Sequence, residues 1–388
     1  MSTQKQTRPV FPFSAVIGQE SMQLALLLNI VDPQIGGAMF MGDRGTGKST
    51  TVRAFAELLP KISVVKGDPF NSSPYNTQLM SPEVRASLDE NVPLEVINIK
   101  TPMVELPLGA TEDRICGSID MEKAMKLGTK AFEPGILARA NQGLLYVDEV
   151  NLLEDNLVNV LLDCAASGWN TVEREGLSVS HPARFILLGS GNPEEGELRP
   201  QLLDRFGLFI QVDTVQDPKS RVQVVQQRTL FDENPESFLE TYQNEENAHR
   251  HRIQLACERL KSVILHPGIL YAISEGCSEL NIDGLRGDLV LTRTAKALQA
   301  LAPTSSPGAV TLADVSFLAP MCIRHRLRKD PLSDVNSGEA VEEIFNVTRL
   351  FEAIVGSGNS SYTSYSLDSE TGPRDFTCVK PDLDFEKN

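Results

Sequence analysis

The sequence predicts an α/β fold in which a parallel sheet is flanked by helices and followed by a C-terminal helical domain. From about Ile17 to Val215, short β-rich runs alternate with helical stretches, which is the pattern of a parallel sheet covered by helices. After Asp217 the chain becomes predominantly helical. The 388 residues exceed one ordinary core, so we expect a second, smaller domain as well as loops or a tail.

Five apolar runs are predicted as buried strands. Each ends at a polar or glycine-bearing turn: Ala38–Met41, Ile62–Val65, Leu144–Val147, Phe185–Leu188 and Leu208–Val212. Ligands of open α/β sheets gather at the carboxyl ends of the strands. The polar residues that follow these runs are therefore candidates for a binding site.

Two stretches are too long for ordinary connections between sheet elements. Residues 93–132 hold extended runs, such as Val96 to Ile99, around a turn-rich middle, and we predict an insertion there. Residues 169–184 are predicted as a β-hairpin that turns near Glu175 and Gly176. Each stretch is either a tolerated surface insertion or a surface that remodels a partner, and the sequence leaves both interpretations open.

The helical part of the chain is predicted to contain linker helices and a C-terminal domain. Two linker helices, Arg221 to Leu230 and Asn247 to Val263, are separated by Pro235. From Leu285 onward, apolar residues follow helical spacing, so that one helix face packs against a core. The predicted boundaries are an extension at 1–12, the α/β core at 13–217, a helical linker at 218–255, a helical lid domain at 256–355 and a flexible tail at 356–388.

Composition and charge argue against several classes of protein. The formal net charge of −16 disfavours binding to a phosphate backbone, which needs clustered Lys and Arg, so nucleic acid is not an expected partner. The six cysteines and five histidines form no spacing expected of a zinc site. The sequence has no run of about 18 uncharged apolar residues and no recognisable targeting segment at its start. We therefore expect a cytoplasmic protein without a membrane span.

The strongest motif follows the first predicted strand. Residues 42–49, GDRGTGKS, fit the P-loop pattern G-x-x-x-x-G-K-[ST] and precede a predicted helix. Glycines let backbone N–H groups turn toward phosphates, Lys48 can reach the β- and γ-phosphates, and the Ser49 hydroxyl can ligate Mg²⁺. We therefore predict a site for ATP and Mg²⁺, with nucleotide contacts from Gly42, Asp43, Arg44, Gly45, Thr46, Gly47, Lys48, Ser49 and Thr50.

A second motif adds two carboxylates. Residues 144–149, LLYVDE, form an apolar run that ends in Asp148 and Glu149. Asp148 is predicted to hold the Mg²⁺ shell, and Glu149 to orient and deprotonate the attacking water. An acidic pair after a strand is often only a solvated turn, but the P-loop upstream favours the catalytic interpretation.

Three further polar residues are candidates for the same chemistry. Asn192 could bond the γ-phosphate or the water, although an Asn before Pro is often a turn former. Arg205, in the sequence LLDRF, is either a surface ion pair or a residue that projects into a neighbour's site in a ring and stabilises transition-state charge. Arg286, at the start of a predicted helix, could reach the phosphates from the second domain.

These motifs, in this order, resemble those of an AAA+ P-loop NTPase core with a lid domain. The sequence between the motifs is similar to that of the small ATPase subunits, called I, of magnesium chelatases. The resemblance runs from about residue 10 to 350. The stretches that carry it are VIGQE, GDRGTGKST, RICGSID, FEPGILARANQGLLYVDEVNLL, GNPEEGELRPQLLDRFGL, NIDGLRGDLVLTRTAKAL and RHRLRKDPL.

The resemblance implies a hexameric ring that works with a second AAA+-like subunit, D, bearing an integrin-type domain, and with a large porphyrin-binding subunit, H. Together such proteins insert Mg²⁺ into protoporphyrin IX for chlorophyll synthesis, using ATP hydrolysis in the cyanobacterial cytosol or the plastid stroma. In that family, residues 93–132 form the insertion in helix 2, and residues 169–184 the hairpin before sensor 1. The family's motif places the Walker A lysine on Lys48, the Walker B pair on Asp148 and Glu149, sensor 1 on Asn192, the arginine finger on Arg205 and sensor 2 on Arg286.

Two other functions fit part of the sequence. A MoxR-like AAA+ chaperone shares the core motifs and would remodel another client protein. A nucleotide-gated scaffold would bind ATP to assemble and hardly hydrolyse it, but Glu149 argues against this, since a pure binding module has no use for a positioned base.

Redox control is also open: chloroplast relatives are thought to respond to thioredoxin, and Cys277 and Cys322 are either a regulatory disulfide or two unpaired buried thiols.

Overall fold

A computed structural model describes residues 9–119, 132–174, 177–196, 198–303, 308–327 and 337–356. Most of the predicted extension at 1–12, the hairpin turn at Glu175 and Gly176, and the predicted tail beyond Gly356 lie outside these residues. The strands are β1 (Ala38–Met41), β2 (Lys61–Val65), β3 (Val96–Lys100), β4 (Met103–Leu106), β5 (Gly117–Ile119), β6 (Phe132–Pro134), β7 (Leu144–Val147), β8 (Trp169–Arg174), β9 (Leu177–Pro182), β10 (Ile186–Gly191) and β11 (Leu208–Gln211).

The α-helices lie between these strands and, after β11, follow one another. They are α1 (Glu20–Val31), α2 (Lys48–Leu58), α3 (Pro82–Asp89), α4 (Glu112–Cys116), α5 (Ile136–Ala140), α6 (Asp155–Ser167), α7 (Pro200–Leu203), α8 (Pro218–Glu233), α9 (Pro235–Arg259), α10 (Pro267–Glu279), α11 (Arg286–Leu301), α12 (Leu312–Ile323), α13 (Ser337–Ile344) and α14 (Val347–Gly356). Among the described residues, no helix is long and apolar enough to cross a membrane.

A five-stranded parallel sheet lies at the centre, with the strand order β11-β1-β10-β7-β4. Side chains alternate between its two faces. Ala38 and Phe40 of β1 belong to one apolar cluster, whereas Met39 between them belongs to another on the opposite face. Helices cover both faces, which confirms the predicted fold class of a parallel sheet flanked by helices.

The strand prediction was wrong at one position of the sheet. The run Ile62–Val65 does form a strand, but β2 pairs antiparallel with β3, outside the central sheet. The fifth place is taken by β4, which lies within the predicted insertion 93–132 and pairs with β7. Because β4 is an edge strand, it needs little burial, and its Glu105 is exposed and accepts a hydrogen bond from Arg53 Nε at 2.6 Å. A short run with a central carboxylate does not look like a buried strand.

The hairpin predicted at residues 169–184 is present as β8 and β9, which pair antiparallel. Its base is anchored by His181, whose ring stacks on Phe70 at a centroid distance of 4.8 Å. The Asn170 amide nitrogen lies 3.0 Å from His181 Nε2 and donates to the Cys116 carbonyl at 2.9 Å. The hairpin therefore packs on two segments distant in sequence.

The two helices after the sheet begin at prolines, which suit the first turn because they lack an N–H donor. The sequence pattern places Pro235 between two linker helices, but in the structure Pro235 is the first residue of α9. The Asn234 side chain caps α9 by accepting from Ser237 N at 3.1 Å, and Asp217 caps α8 in the same way. Both helices are therefore longer than predicted.

The lid helices share one apolar core with the sheet. The cluster that contains Phe40 continues through α1 into α11, where Leu291 and Leu298 are buried at the predicted helical spacing. Cys277 and Cys322 are both buried in this region as free thiols. Burial raises the pKa of Cys322 to about 12 and also raises the pKa of Cys277, so neither thiol ionises readily.

Candidate functional site

Three neighbouring strands bring the predicted site residues to one edge of the sheet. β10 lies between β1 and β7, and all three run in the same direction. The P-loop follows β1, Asp148 follows β7 and Asn192 follows β10. Gly42 N donates to Gly191 O at 3.1 Å, which ties the start of the P-loop to the end of the neighbouring strand. The site thus lies where ligands of open parallel sheets bind.

The P-loop turns through two glycines in the left-handed region. Gly45 has φ 79° and Gly47 has φ 85°, a backbone that most L-residues avoid. A Cβ at Gly45 would meet no atom within 4 Å, so the loop is open there. Helix α2 begins at the next residue, Lys48, and its first N–H groups therefore face the loop. This cradle has the shape and polarity that suit a chain of phosphates.

The Lys48 ammonium lies inside the loop. Its Nζ donates to Gly42 O at 2.6 Å and to Asp43 O at 2.8 Å. Burial lowers the pKa of Lys48, and the nearby Asp148 carboxylate opposes this effect. Because charge-assisted bonds to phosphate are stronger than bonds to neutral carbonyls, a phosphate group can replace these partners.

Asp148 is oriented by two hydroxyl groups. Tyr146 Oη donates to Asp148 Oδ1 at 2.9 Å, and Ser190 Oγ donates to the same oxygen. The other oxygen, Oδ2, lies 3.5 Å from Ser49 Oγ. Two oxygens of the type that Mg²⁺ prefers therefore face each other beside the P-loop, and these residues fit a nucleotide-bound Mg²⁺.

Glu149 has a strained backbone. Its φ of 53° and ψ of 54° lie in the left-handed region, which costs a residue such as Glu about 1–3 kcal/mol. Glu149 N donates to Ser190 Oγ at 3.3 Å, and the side chain is half-buried. Such strain persists where the surrounding structure enforces it, and it is typical of functional residues.

Arg44 connects the P-loop to the loop after β10. Its side chain is 71% exposed, whereas its partner Glu195 is only 11% exposed, and Arg44 Nη2 donates to Glu195 Oε1. The same nitrogen lies 3.9 Å from Glu149 Oε1. The hydrogen bond and charge of Glu195 raise the pKa of Arg44. Arg44 therefore bridges two carboxylates at the rim of the site.

Asn192 lies at the expected edge but already has bonding partners. It is 4% exposed, and its side-chain oxygen accepts from Glu194 N at 3.2 Å, which caps a short 3-10 turn. Asn151 Nδ2 donates to Asn192 O at 3.0 Å. The structure thus shows the turn-forming role of Asn192, and a contact with phosphate or water remains a prediction.

The structure does not bring Arg205 or Arg286 to the P-loop. Arg205 pairs with Asp163 of α6, and Arg286 Nη1 donates to Asp204 O at 3.1 Å. Within the described residues, neither arginine forms a hydrogen bond or an ion pair with the P-loop. Arg205 is exposed and so remains available to a neighbouring molecule.

A cavity of about 390 Å³ adjoins the P-loop on the side of α8. Its walls are largely apolar and include Phe11, Val16, Gly45, Val215 and Val224. This size and lining suit a flat heteroaromatic group beside the phosphate cradle. The segment before α1 is held to the loop by Gln19, whose Nε2 donates to Thr46 O.

Sequence reasoning missed the supporting residues Tyr146, Ser190, Glu195 and Gln19. One signal was available: Tyr146 is two residues before Asp148, which directly follows the same strand, so the extended backbone turns both side chains to the same face. The acidic pair at 194–195 was visible within GNPEEG, but nothing in the sequence pairs Glu195 with Arg44, 151 residues away.

Two family models match parts of this chain. The family model described as "Magnesium chelatase, subunit ChlI" matches residues 118–201, and the one described as "AAA lid domain" matches residues 270–344. Among solved structures, a putative ATPase from Cytophaga hutchinsonii aligns with a TM-score of 0.56 at 17% identity, covering 86% of this chain and 91% of that one, which supports the fold alone. An alignment with one chain from a model of a BchI–BchD magnesium chelatase complex covers 86% of this chain and 100% of the BchI–BchD chain. The sequence identity is 49% and the TM-score is 0.48.

Curated relatives match over 80% or more of their own length. Magnesium-chelatase subunit ChlI of Nephroselmis olivacea is 59% identical over 347 residues, which is 89% of this chain and 97% of that protein. The subunit ChlI of Synechocystis is 59% identical over 90% of this chain and 97% of its own length. The chloroplastic ChlI-1 of Arabidopsis thaliana is 59% identical over 88% of this chain and 80% of its own. With relatives this similar, the chain belongs to the magnesium-chelatase subunit ChlI family.

Proposed function

We propose that this chain is the ATP-hydrolysing AAA+ motor subunit of a magnesium chelatase, which drives Mg²⁺ insertion into protoporphyrin IX in chlorophyll synthesis. The observation that carries the proposal is the convergence of Lys48, Ser49, Asp148 and the strained Glu149 at one sheet edge, in a chain of this family. A positioned carboxylate next to a phosphate cradle favours hydrolysis over simple binding.

Each residue has a separate role in the proposed hydrolysis. Lys48 would exchange the loop carbonyls for the β- and γ-phosphate oxygens, and Ser49 and Asp148 would hold the Mg²⁺ of Mg-ATP. When bound there, the ion would neutralise negative charge on the phosphate oxygens. Glu149 orients the attacking water and accepts its proton, so that the products are ADP and inorganic phosphate. The apolar cavity beside the loop holds the adenine and the ribose.

The proposal includes a ring in which Arg205 acts on the neighbouring subunit. Arg205 is exposed and has no contact with the P-loop of its own chain among the described residues. An arginine that meets charge developing on the transferred phosphoryl group typically contributes about 10³ to 10⁵ in kcat. We propose a six-membered ring that works with the D and H subunits, in the cytosol or the plastid stroma.

A separate motor suits the chemistry of the metal. Mg²⁺ gives up its hydration waters reluctantly, and a porphyrin must distort to admit it. Conformational work driven by ATP meets both needs. The Mg²⁺ that this chain holds is therefore the ion of Mg-ATP, and the ion that is inserted is a substrate of the whole assembly.

The test is a chelation assay with the D and H subunits of a cyanobacterium. We expect the purified chain alone to hydrolyse ATP without inserting metal, and the three subunits together to convert protoporphyrin IX to its Mg²⁺ form, followed by fluorescence. Lys48→Ala, whose loop cannot bind the phosphates, serves as the inactive control. Normal ATP hydrolysis without chelation under these conditions would favour a MoxR-like chaperone.

A further inference from the structure

Arg326 is a buried cation that the proposed hydrolysis does not use. It lies in the 3-10 turn Arg324–Arg326 at the end of α12, within the lid, and its side chain is only 1% exposed. Burial lowers the pKa of its guanidinium, and Asp204 opposes this effect. A guanidinium that is buried to this extent is retained only where its N–H groups are well paired.

The partners of Arg326 lie mostly in one short segment of the α/β core. Its Nη1 donates to the Asp204 carbonyl at 2.6 Å and also to the Asp204 carboxylate. Its Nη2 donates to the Phe206 carbonyl at 2.8 Å, and its Nε donates to the Cys322 carbonyl of α12 at 3.0 Å. The fork of one lid arginine therefore holds the residues on both sides of Arg205.

Two more lid residues bind the same segment. His325 Nε2 lies 3.1 Å from the Phe206 carbonyl, and the His325 ring stacks on Phe209 of β11. Arg286 Nη1 donates to the Asp204 carbonyl at 3.1 Å and lies 3.7 Å from the Asp204 carboxylate. Because the backbone around Arg205 is bound to the lid at these points, a rotation of the lid must displace Arg205 as well.

We propose that Arg326 is a positioning residue for Arg205, and that it transmits lid movement in one subunit to ATP hydrolysis in the next. The inference rests on the proposed function, in which Arg205 serves the neighbour's site. Nucleotide bound in one subunit changes the lid position, and the grip of Arg326 turns that change into a new position of Arg205 at the interface. Among the described residues, Arg326 forms no hydrogen bond with the P-loop or with the proposed Mg²⁺ ligands of its own subunit.

The test compares two lid arginines in the full-length ring. Arg326→Lys keeps the charge but loses the fork that binds two carbonyls at once. A displacement of about 1 Å in a reacting group can cost roughly 10²-fold in rate, so we expect kcat for ATP to fall by about that factor while KM stays within about 2-fold. Arg293→Lys is the matched control, because Arg293 also links the lid to the core, at Asp32 and Gln34, but has no hydrogen bond to the segment around Arg205 among the described residues. We expect Arg293→Lys to keep both constants within about 2-fold.

Mixed rings distinguish a misplaced Arg205 from a defect in the variant's own ATP site. Lys48→Ala subunits keep an intact Arg205, so mixing them with Arg326→Lys subunits should restore ATPase activity at interfaces where both parts are sound. If Arg326→Lys has wild-type kcat, or if mixed rings verified by mass measurement stay inactive, the inference is wrong. Arg205→Ala tests the proposed function separately: full activity of that variant would overturn the role of Arg205 itself.

A second variant keeps the test informative if Arg326→Lys unfolds. His325→Phe retains the stacking on Phe209 but removes the bond to the Phe206 carbonyl, without leaving a buried charge unpaired. We expect a smaller fall in kcat, again with unchanged KM and with recovery in mixed rings. A fall in nucleotide affinity in place of kcat would contradict the inference.

Discussion

At the scale of single residues, Asp148 shows how a strand prepares one carboxylate for a metal. Its Oδ1 accepts from both Tyr146 Oη and Ser190 Oγ, so that this oxygen is fully used. Oδ2 is left on the side of Ser49. Burial raises the pKa of Tyr146, which therefore stays protonated and remains a donor over the whole working range of pH.

Tyr146→Phe removes this donor while keeping almost the same volume in the core. Loss of a hydrogen bond that orients a metal ligand typically costs 10–100-fold in metal affinity, so we expect the Mg²⁺ concentration for half-maximal ATPase activity to rise by at least about 10-fold. The kcat at saturating Mg²⁺ should change much less. Titration of ATPase activity with Mg²⁺ measures this, with Tyr242→Phe, another buried tyrosine in a separate aromatic cluster, as control. An unchanged Mg²⁺ requirement would show that Tyr146 does not act on the ligand.

Glu149→Gln separates binding from hydrolysis. The amide keeps the shape of the side chain but cannot accept the proton of the attacking water, so we expect kcat to fall about 10²- to 10⁴-fold with ATP still bound. Equilibrium binding of a fluorescent ATP analogue, compared with Lys48→Ala, measures the difference. Lys48→Ala should lose both binding and turnover. If Glu149→Gln fails to bind ATP, Glu149 is a structural or metal-holding residue and not the base.

At the scale of elements, the sequence reveals the strands whose two faces are both buried. β1 and β7 are continuous apolar runs followed by Gly42 and Asp148, and β10 begins with an apolar run and is followed by Asn192, so the ends of these strands locate most of the site. β4 was hidden because an edge strand tolerates a carboxylate such as Glu105. The run of β2 was visible, but its partner was not, because the sequence pattern does not tell which strand a half-buried run will pair with.

The interactions across long sequence separations were also hidden. Arg326 contacts Asp204 across 122 residues, and both lie in stretches with several charged residues and no periodic pattern that would single them out. The P-loop was predictable because its chemistry depends on local spacing. The hydrogen bonds from the lid to the residues beside Arg205 were not predictable, because they form only when the lid packs on the sheet.

Helix α9 holds the N-terminal segment that borders the apolar cavity. Glu246 Oε1 accepts from Ser14 N at 2.8 Å and from Ser14 Oγ at 2.6 Å, and all of these groups are buried. On the next turn, the His249 ring meets Phe13 edge to face at 5.7 Å. Burial, aided by Arg252, lowers the pKa of His249 to about 4.

This histidine predicts a loss of stability in mild acid. Because the pKa of His249 is lower in the folded state than its ordinary value of 6.5, the unfolded state binds the proton more readily below pH 6.5. Stability is therefore fully present above that pH and declines as the pH falls toward 4; His181, whose pKa is also lowered by burial, acts in the same direction. Each pKa unit corresponds to about 1.4 kcal/mol.

The measurement is the free energy of unfolding by urea at pH 7.5 and at pH 5. In His249→Phe, which keeps a ring against Phe13, we expect the difference between the two pH values to shrink by about 2 kcal/mol. The same measurement on a variant with the exposed His251 replaced by Phe serves as the control. An equal pH dependence in His249→Phe and the wild type would contradict the assignment.

At the scale of the whole molecule, the sheet and the lid are joined by one continuous apolar core, while the polar contacts between them concentrate near Arg205. Leu26 of α1 and Leu298 of α11 belong to the same cluster. A close-packed core transmits displacement instead of absorbing it. The lid and the segment around Arg205 are therefore expected to move together.

An arginine that acts only on a neighbour makes the rate depend on assembly. We expect ATPase activity per subunit to fall steeply on dilution below the concentration at which rings form, because a single subunit has a complete P-loop but no Arg205 from a neighbour. ATPase rates over a dilution series, with the ring population followed by mass measurement, test this. Constant activity per subunit in a solution of single subunits would mean that Arg205 is not needed in trans.

The left-handed backbone of Glu149 affects which substitutions would stabilise the fold. Glycine and asparagine adopt this conformation more easily than glutamate does, so replacing Glu149 by either would relieve strain in the folded chain. A screen for thermal stability alone would therefore select a substitution that removes the proposed base. The glutamate of this chain therefore costs fold stability, and the proposed role of Glu149 as the base accounts for that cost.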